Sequence, residues 1–229
     1  MNGFGILAAS YLGPGGYGND LTGHKPWPVE LGEALRRGEL DALHWSTLFA
    51  SDSQRFARMD LMSRLGLMAT ELLDAGIDQT PADQRDRTGV CVETRAGCLA
   101  TDLQFLRTPR PSLFAYTLPS TVLGEVCIRY RLRGPVLCLM SPGDGGGGAV
   151  QEAVGWLQTG DAGAVLCLSV EAVDPAAARL LPTLDATLSG RWHAAALLIG
   201  GGDSARRRYT LVSGSVESLG RGLCGGVRP

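Results

Sequence analysis

Short apolar segments of strand length alternate along this chain with stretches that have helical spacing, and this alternation most limits the fold. Between residues 61 and 73, for example, Leu61, Leu65, Met68 and Leu72 recur close to the period of a helix. Asp60 is the expected N-cap of this helix and Gly76 its expected stop. Further helices are predicted over 119–132 and 149–157. Strands are predicted over 3–11, 87–93, 136–140, 162–170, 193–200 and 208–213.

This alternation predicts an α/β sandwich with a largely parallel sheet. Residues 112–117 are expected to be extended. The run Val136–Met140 is apolar throughout, as in a strand buried on both faces. A short turn joins the last two strands, so we expect them to pair with each other in antiparallel fashion.

Composition excludes several classes of function. The chain has 229 residues, 45% apolar and 19% charged, which suits one soluble domain. A net charge of −2 disfavours broad nucleic-acid binding. Six cysteines without a Cys-x-x-Cys pair and three histidines disfavour a metal site and suit a reducing cytoplasm, and no cofactor is expected. We expect no secretion signal and no membrane span, because the chain contains no basic leader and no apolar run of about 20 residues.

Several segments together resemble the β-ketoacyl-acyl-carrier-protein synthases, which have the thiolase fold. The most specific segment is Tyr-Thr-Leu-Pro-Ser-Thr-Val-Leu-Gly-Glu-Val-Cys-Ile-Arg-Tyr-Arg-Leu-Arg-Gly-Pro over residues 116–135. It is similar to the helix and glycine-proline turn that precede the nucleophile strand of the family. Supporting segments are Arg55-Phe56 with the following helix, Arg-Thr-Gly-Val-Cys-Val-Glu over 87–93, and Thr-Gly-Asp-Ala-Gly-Ala-Val-Leu-Cys-Leu over 159–168.

The resemblance runs from Gly3 to about Leu219 and matches the first half of the family's usual length. It implies a thiolase-like α/β/α half, that is, a single N-terminal ketosynthase domain. We expect this domain to span residues 1–219 and a flexible glycine-rich tail to span 220–229.

The resemblance also locates the position of the family's catalytic cysteine. Counted from Gly134-Pro135, this position falls on Gly143, within an elbow that includes Ser141, Asp144 and Gly145. Glycine has neither thiol nor hydroxyl, and covalent acyl transfer needs an activated nucleophile. The family's two catalytic histidines belong to the C-terminal half, and His24, His44 and His193 do not match their motifs. We therefore expect no catalytic residue here and no condensation by this chain alone.

Alternative interpretations of this region stay open. The glycines from 143 to 148 form either a remodelled elbow or, less in keeping with the absence of Gly-Lys-Ser/Thr, a phosphate cradle. Asp144 is a helix N-cap, or it hydrogen-bonds a partner subunit or plugs the vestigial pocket. Cys138 is a core residue or a displaced nucleophile, and Ser141 is better placed for attack but has no base motif.

The strand Val136, Leu137, Cys138, Leu139 and Met140 is a predicted interface, because the corresponding strand pairs across the dimer axis in the family. The resemblance implies a non-catalytic, chain-length-factor-like subunit that forms a heterodimer with an active ketosynthase in fatty acid, polyketide or aryl polyene biosynthesis. An acyl carrier protein is a further candidate partner. By analogy, bulky side chains near residues 105–116 would limit product length. The alternatives are an acyl-binding or hydrolytic enzyme with new chemistry at the glycine-rich elbow, and a degenerate synthase without function.

Overall fold

A computed structural model describes residues 4–50, 55–73, 77, 81–140, 147–184, 192–201, 209–210 and 215–225. Its strands are β1 (Gly5–Gly13), β2 (Gly16–Asn19), β3 (Gly23–Lys25), β4 (Thr88–Thr94), β5 (Val136–Met140), β6 (Ala164–Glu171), β7 (His193–Gly200) and β8 (Tyr209–Thr210). Its helices are α1 (Val29–Arg36), α2 (Leu61–Leu72), α3 (Ala82–Asp86), α4 (Leu99–Arg107), α5 (Pro111–Phe114), α6 (Thr121–Tyr130), α7 (Gly148–Thr159), α8 (Pro175–Leu184) and α9 (Val216–Leu223). Short 3₁₀ turns precede α2.

All eight described strands belong to one sheet in the order β3-β2-β1-β7-β6-β4-β5, with β8 paired to β1. Only β4–β5 and β4–β6 are parallel pairs, so the prediction of a largely parallel sheet is wrong. One reason is that β1, β2 and β3 follow one another as antiparallel neighbours. Another lies in the connection between β6 and β7. Helix α8 packs against α4 instead of crossing over the sheet, and the chain then returns antiparallel to β6.

Two sequence predictions about local structure also fail. The two last strands do not pair with each other, because β7 already has β1 and β6 as neighbours and β8 pairs with β1. Residues 112–117 are not extended, since α5 begins at Pro111, whose fixed φ suits a first helical turn.

Helices cover both faces of the sheet, which confirms the predicted α/β/α architecture. On one face, α2 and α6 pack on the strands through residues such as Leu65, Met68, Val122 and Val126. On the other face lie α7 and α9. Alternate strand residues supply the two cores: Val90 and Val92 lie in the core under α2 and α6, whereas Cys91 lies in the core under α7.

The ends of the principal helices follow local chemistry. Asp60 caps α2 as predicted, because its Oδ1 accepts a hydrogen bond of 3.0 Å from the Ser63 N–H. Gly76, the predicted stop, lies outside the described residues. Helix α6 ends at Tyr130, earlier than predicted, because Arg131 adopts a left-handed conformation with φ of 55°.

The C-terminal part of the described chain is a helix. The predicted flexible tail begins at Gly220, but Gly220 is buried within α9, and Cys224 just after the helix is also buried. Helix α9 covers the strands that α7 leaves open. Among the described residues, no helix is both long and apolar enough to cross a membrane.

Candidate functional site

The predicted elbow residues Ser141, Gly143, Asp144 and Gly145 lie outside the described residues. The strand that leads into this segment, β5, and the helix that leaves it, α7, are both described. The candidate site is therefore built from the groups that surround the two ends of the segment.

A buried carboxylate occupies the N-terminus of α7. Glu93, at the end of β4, is 5% exposed, and its Oε2 accepts hydrogen bonds of 3.2 Å from both Gly147 N–H and Ala149 N–H. The first N–H groups of a helix lack intrahelical acceptors and form its positive end. Gly147 at the N-cap has no side chain that could accept from these N–H groups, and Glu93 accepts from them instead.

A second buried carboxylate lies at the same end of the parallel strands, where β4 and β6 both finish. Glu171, at the end of β6, accepts hydrogen bonds from Arg95 N–H at 2.6 Å and Ala96 N–H at 3.0 Å, and burial raises its pKa. The ends of these strands lie side by side because β4 runs parallel to both β5 and β6. Sequence reasoning missed both acids. The signal available was an acidic residue directly at the end of an apolar strand, in Glu93 and Glu171 alike.

A serine, a histidine and a glutamate meet elsewhere, but not as a catalytic triad. Ser169 Oγ lies 3.1 Å from His193 Nε2, and Glu217 Oε2 lies 3.6 Å from the same nitrogen. In a triad the nucleophile and the acid contact opposite ring nitrogens. Burial lowers the pKa of His193 to about 4, so the imidazole is neutral at physiological pH. This cluster holds α9 on the sheet.

No described cysteine has the environment of a nucleophile. Cys138 is half-buried in β5 and packs against the main core, and burial raises its pKa. Burial likewise raises the pKa of Cys91 to about 12. A thiolate is the nucleophilic form of cysteine, so these shifts favour core packing for Cys138. The described His, Cys, Asp and Glu residues form no group of three that could hold a metal ion.

The predicted interface strand β5 is an edge of the sheet. Among the described strands it pairs with β4 alone, and Val136 and Met140 are 53% and 60% exposed. The prediction that this strand is buried on both faces is wrong, because Leu137, Cys138 and Leu139 are only partly buried and the two end residues are exposed. Met140 and Pro119 both lie close to Gly97, and Leu118, the residue before Pro119 in the sequence, is exposed.

A cleft of about 780 Å³ opens between the start of α2 and helices α4 and α5. Its lining includes Arg58, Arg64, Arg107 and Arg110, together with the buried Asp60. Arg64 pairs with the exposed Asp41 at 3.2 Å. Burial raises the pKa of Asp60, whose Oδ2 accepts a hydrogen bond from Thr101. Sequence reasoning did not find this cleft, because its residues come from separate segments.

The fold defined by this sheet is that of thiolase-like ketosynthases. The chain resembles the ishigamide ketosynthase/chain length factor with a TM-score of 0.63 and 21% identity over 90% of this chain and 64% of that one. It resembles a β-ketoacyl synthase from Burkholderia phymatum STM815 with a TM-score of 0.62 and 17% identity over 90% of this chain and 60% of that one. It also resembles the ketosynthase ApeO in complex with its chain length factor ApeC from Xenorhabdus doucetiae. The TM-score is 0.60 and the identity 17%, over 89% of this chain and 81% of that one.

Residues 30–194 match the model of the β-ketoacyl synthase N-terminal domain, and the chain therefore belongs to this family. It spans 64% of the length of the ishigamide structure and 60% of that from Burkholderia. The identities with these structures establish a shared fold. No curated protein sequence matches the chain.

Proposed function

We propose that the chain is a non-catalytic, chain-length-factor-like subunit that pairs through β5 with an active β-ketoacyl-ACP synthase in fatty acid, polyketide or aryl polyene biosynthesis. The observation that carries this proposal is the open edge of β5. Two of the similar structures, the ishigamide and the ApeO–ApeC proteins, are described as ketosynthases with chain length factors.

The backbone of β5 supports pairing with another strand. The ladder to β4 includes the hydrogen bond of 2.9 Å from Val90 N–H to Pro135 O. A strand in a parallel ladder uses alternate residues for one neighbour, so the other backbone groups of β5 face away from β4. Open edges of this kind are usually protected by charges, prolines or bulges. Val136–Met140 contains none of these residues.

The side chains around β5 support a protein partner in the same place. Met140 and Val136 at the strand ends are more than half exposed, as is Leu118, which precedes Pro119 near Met140. Exposed apolar groups next to the open edge of a strand favour a protein interface over solvent. Strand pairing would supply backbone hydrogen bonds, and the apolar side chains would supply buried area.

Two features support the absence of catalysis. Gly143, at the position of the family's nucleophile, has no reactive side chain. The pKa of Cys138, the cysteine nearest in sequence, is raised by burial, which disfavours the thiolate.

An acyl carrier protein fits the proposal as a second partner. Carrier proteins hold the acyl group on an arm joined through a phosphate, and guanidinium groups bind phosphate well. Arg58, Arg107 and Arg110 in the cleft supply such groups. We expect Arg58→Ala with Arg110→Ala to weaken carrier binding by about tenfold in titration calorimetry. Arg133→Ala, an exposed arginine outside the cleft lining, is the control.

The aromatic pair Phe105 and Phe114 is the candidate for limiting product length. The two rings lie 5.7 Å apart, and Phe114 is exposed. Bulky side chains at the end of an acyl tunnel would stop elongation by steric contact. In the reconstituted pair, Phe114→Ala should shift products to longer chains. An unchanged product distribution would remove this residue from the proposal.

Co-expression with a neighbouring ketosynthase, followed by size-exclusion chromatography, tests the main proposal. We expect a heterodimer in the wild type and its loss in Met140→Arg, with Val29→Arg as a control because Val29 is also exposed and lies in α1. A chain that forms only homodimers would contradict the proposal. Turnover of acyl-carrier thioesters that disappears in Ser141→Ala would contradict the non-catalytic part and favour the hydrolytic alternative.

A further inference from the structure

The start of α7 is an anion-binding position that the chain fills with its own side chain. Glu93 belongs to β4 and lies 54 residues before Gly147 in the sequence. One of its oxygens accepts from two N–H groups of the helix start, Gly147 and Ala149, at 3.2 Å each. The contact is therefore tertiary.

The helix has no capping side chain of its own at this point. Gly147 occupies the N-cap with φ of 120°, a conformation that favours glycine, and glycine has no side-chain acceptor. A helix of 12 residues has a substantial positive end, and buried N–H groups without an acceptor are costly. Glu93 supplies the acceptor and the negative charge.

The charge of Glu93 has no cationic partner in the described part of the chain, where no ion pair to Arg, Lys or His includes it. Two described thiols that Glu93 influences are those of Cys91 and Cys167, and Glu152 on α7 also acts on Cys91. Glu93 contributes to the raised pKa of both thiols. The helix end is thus the described source of stabilisation for this carboxylate.

We propose that Glu93 is an internal anion that occupies the N-terminus of α7, positions the helix on β4, and prevents an external anion from binding there. The excluded ligands are carboxylates and the oxyanion of an acyl intermediate. The N–H groups that such an anion would need already donate to Glu93, whose carboxylate would also repel it. The position of Glu93 at the helix start is given by its two hydrogen bonds. That it adds a second block to acyl chemistry, besides Gly143, rests on the proposed function.

Chemical rescue with formate tests this occupancy. Glu93→Ala should lower the melting temperature by about 3–10 °C, because two buried N–H groups lose their acceptor. Sodium formate should restore most of this loss in Glu93→Ala, whereas sodium chloride at equal ionic strength should not. The wild type and Glu39→Ala, a variant of an exposed acid, should respond equally to the two salts. Equal responses of Glu93→Ala to both salts would overturn the proposal.

A second variant covers the case in which Glu93→Ala does not fold. Glu93→Gln keeps the size of the side chain and removes its charge. The amide proton resonances of Gly147 and Ala149 should then move upfield in a proton–nitrogen correlation spectrum, since their acceptor is weaker. Unchanged resonances would overturn the proposal. Both experiments use this chain alone, so a failure to form a heterodimer would leave their outcome unaffected.

Discussion

Arg55 and Glu125 are 70 residues apart in the sequence, and a hydrogen bond of 2.6 Å joins Arg55 Nε to Glu125 Oε2. The other oxygen of the same carboxylate accepts a hydrogen bond of 2.9 Å from the Tyr116 hydroxyl. One buried side chain on α6 therefore connects the segment before α2 with the segment before α6. These are two of the segments on which the family resemblance rests.

Tyr116→Phe should destabilise the fold, because it removes one donor from a buried carboxylate. We expect a loss of about 1.5 kcal/mol in urea unfolding. Tyr17→Phe is a suitable control, since Tyr17 contributes a ring contact with Trp27. An equal effect of both changes would contradict the role of the Tyr116 hydroxyl.

The pKa of Tyr116 offers a second measurement of the same contact. Burial and the hydrogen bond to Glu125 raise this pKa from 10.0 to about 12. The folded state thus holds the phenol proton more tightly than the unfolded chain, and this contribution is lost as the pH rises from about 10 to about 12. The difference between the ultraviolet titrations of the wild type and Tyr116→Phe should correspond to a tyrosine that ionises late.

His193 should make stability depend on pH in the acidic range. Burial lowers its pKa from 6.5 to about 4, so the unfolded chain takes up the proton first as the pH falls. Stability from this group is complete above pH 6.5 and decreases towards pH 4, by roughly 3 kcal/mol. Asp60 and Glu171, whose pKa values are raised by burial, act in the opposite direction.

Comparison of variants isolates the histidine. Urea unfolding across this pH range should give a shallower dependence for His193→Gln than for the wild type. His44→Gln, which changes an exposed histidine, is the control for the substitution itself. Parallel curves for the wild type and His193→Gln would contradict the prediction.

The native thiols should resist alkylation. The pKa of Cys224 rises from 9.0 to about 12 through burial, as does that of Cys91, which lowers the thiolate fraction about a thousandfold. Iodoacetamide at mildly alkaline pH should therefore label the folded chain far more slowly than the urea-unfolded chain, with mass spectrometry as the readout. Rapid labelling confined to Cys138 would instead support a displaced nucleophile.

Two glycine substitutions should have opposite effects. A Cβ on Gly134, in the glycine-proline turn, would lie 2.5 Å from the backbone carbonyl atoms of Thr88, so Gly134→Ala should cost about 1–3 kcal/mol. A Cβ on Gly124, inside α6, meets no atom within 4 Å. Gly124→Ala should stabilise the helix by about 0.5–1 kcal/mol. Urea unfolding of both variants measures the difference, and equal effects would contradict the close approach at Gly134.

The sequence by itself determined helix α2 and the family. The period of Leu61, Leu65 and Met68 and the cap Asp60 were sufficient for α2, because helix formation depends on neighbours three and four residues away. The segment from Tyr116 to Pro135 was sufficient for the ketosynthase resemblance, which the match over residues 30–194 confirms.

Only the tertiary structure decided the sheet and the surroundings of the elbow. An apolar run such as Val136–Met140 predicts a strand, but whether it lies at the centre or at the edge depends on its neighbours in space. The same holds for Glu93, whose partners Gly147 and Ala149 are more than 50 residues away in the sequence. Strand order and remote capping are contacts between distant segments, and the local periodicity of a sequence contains no record of them.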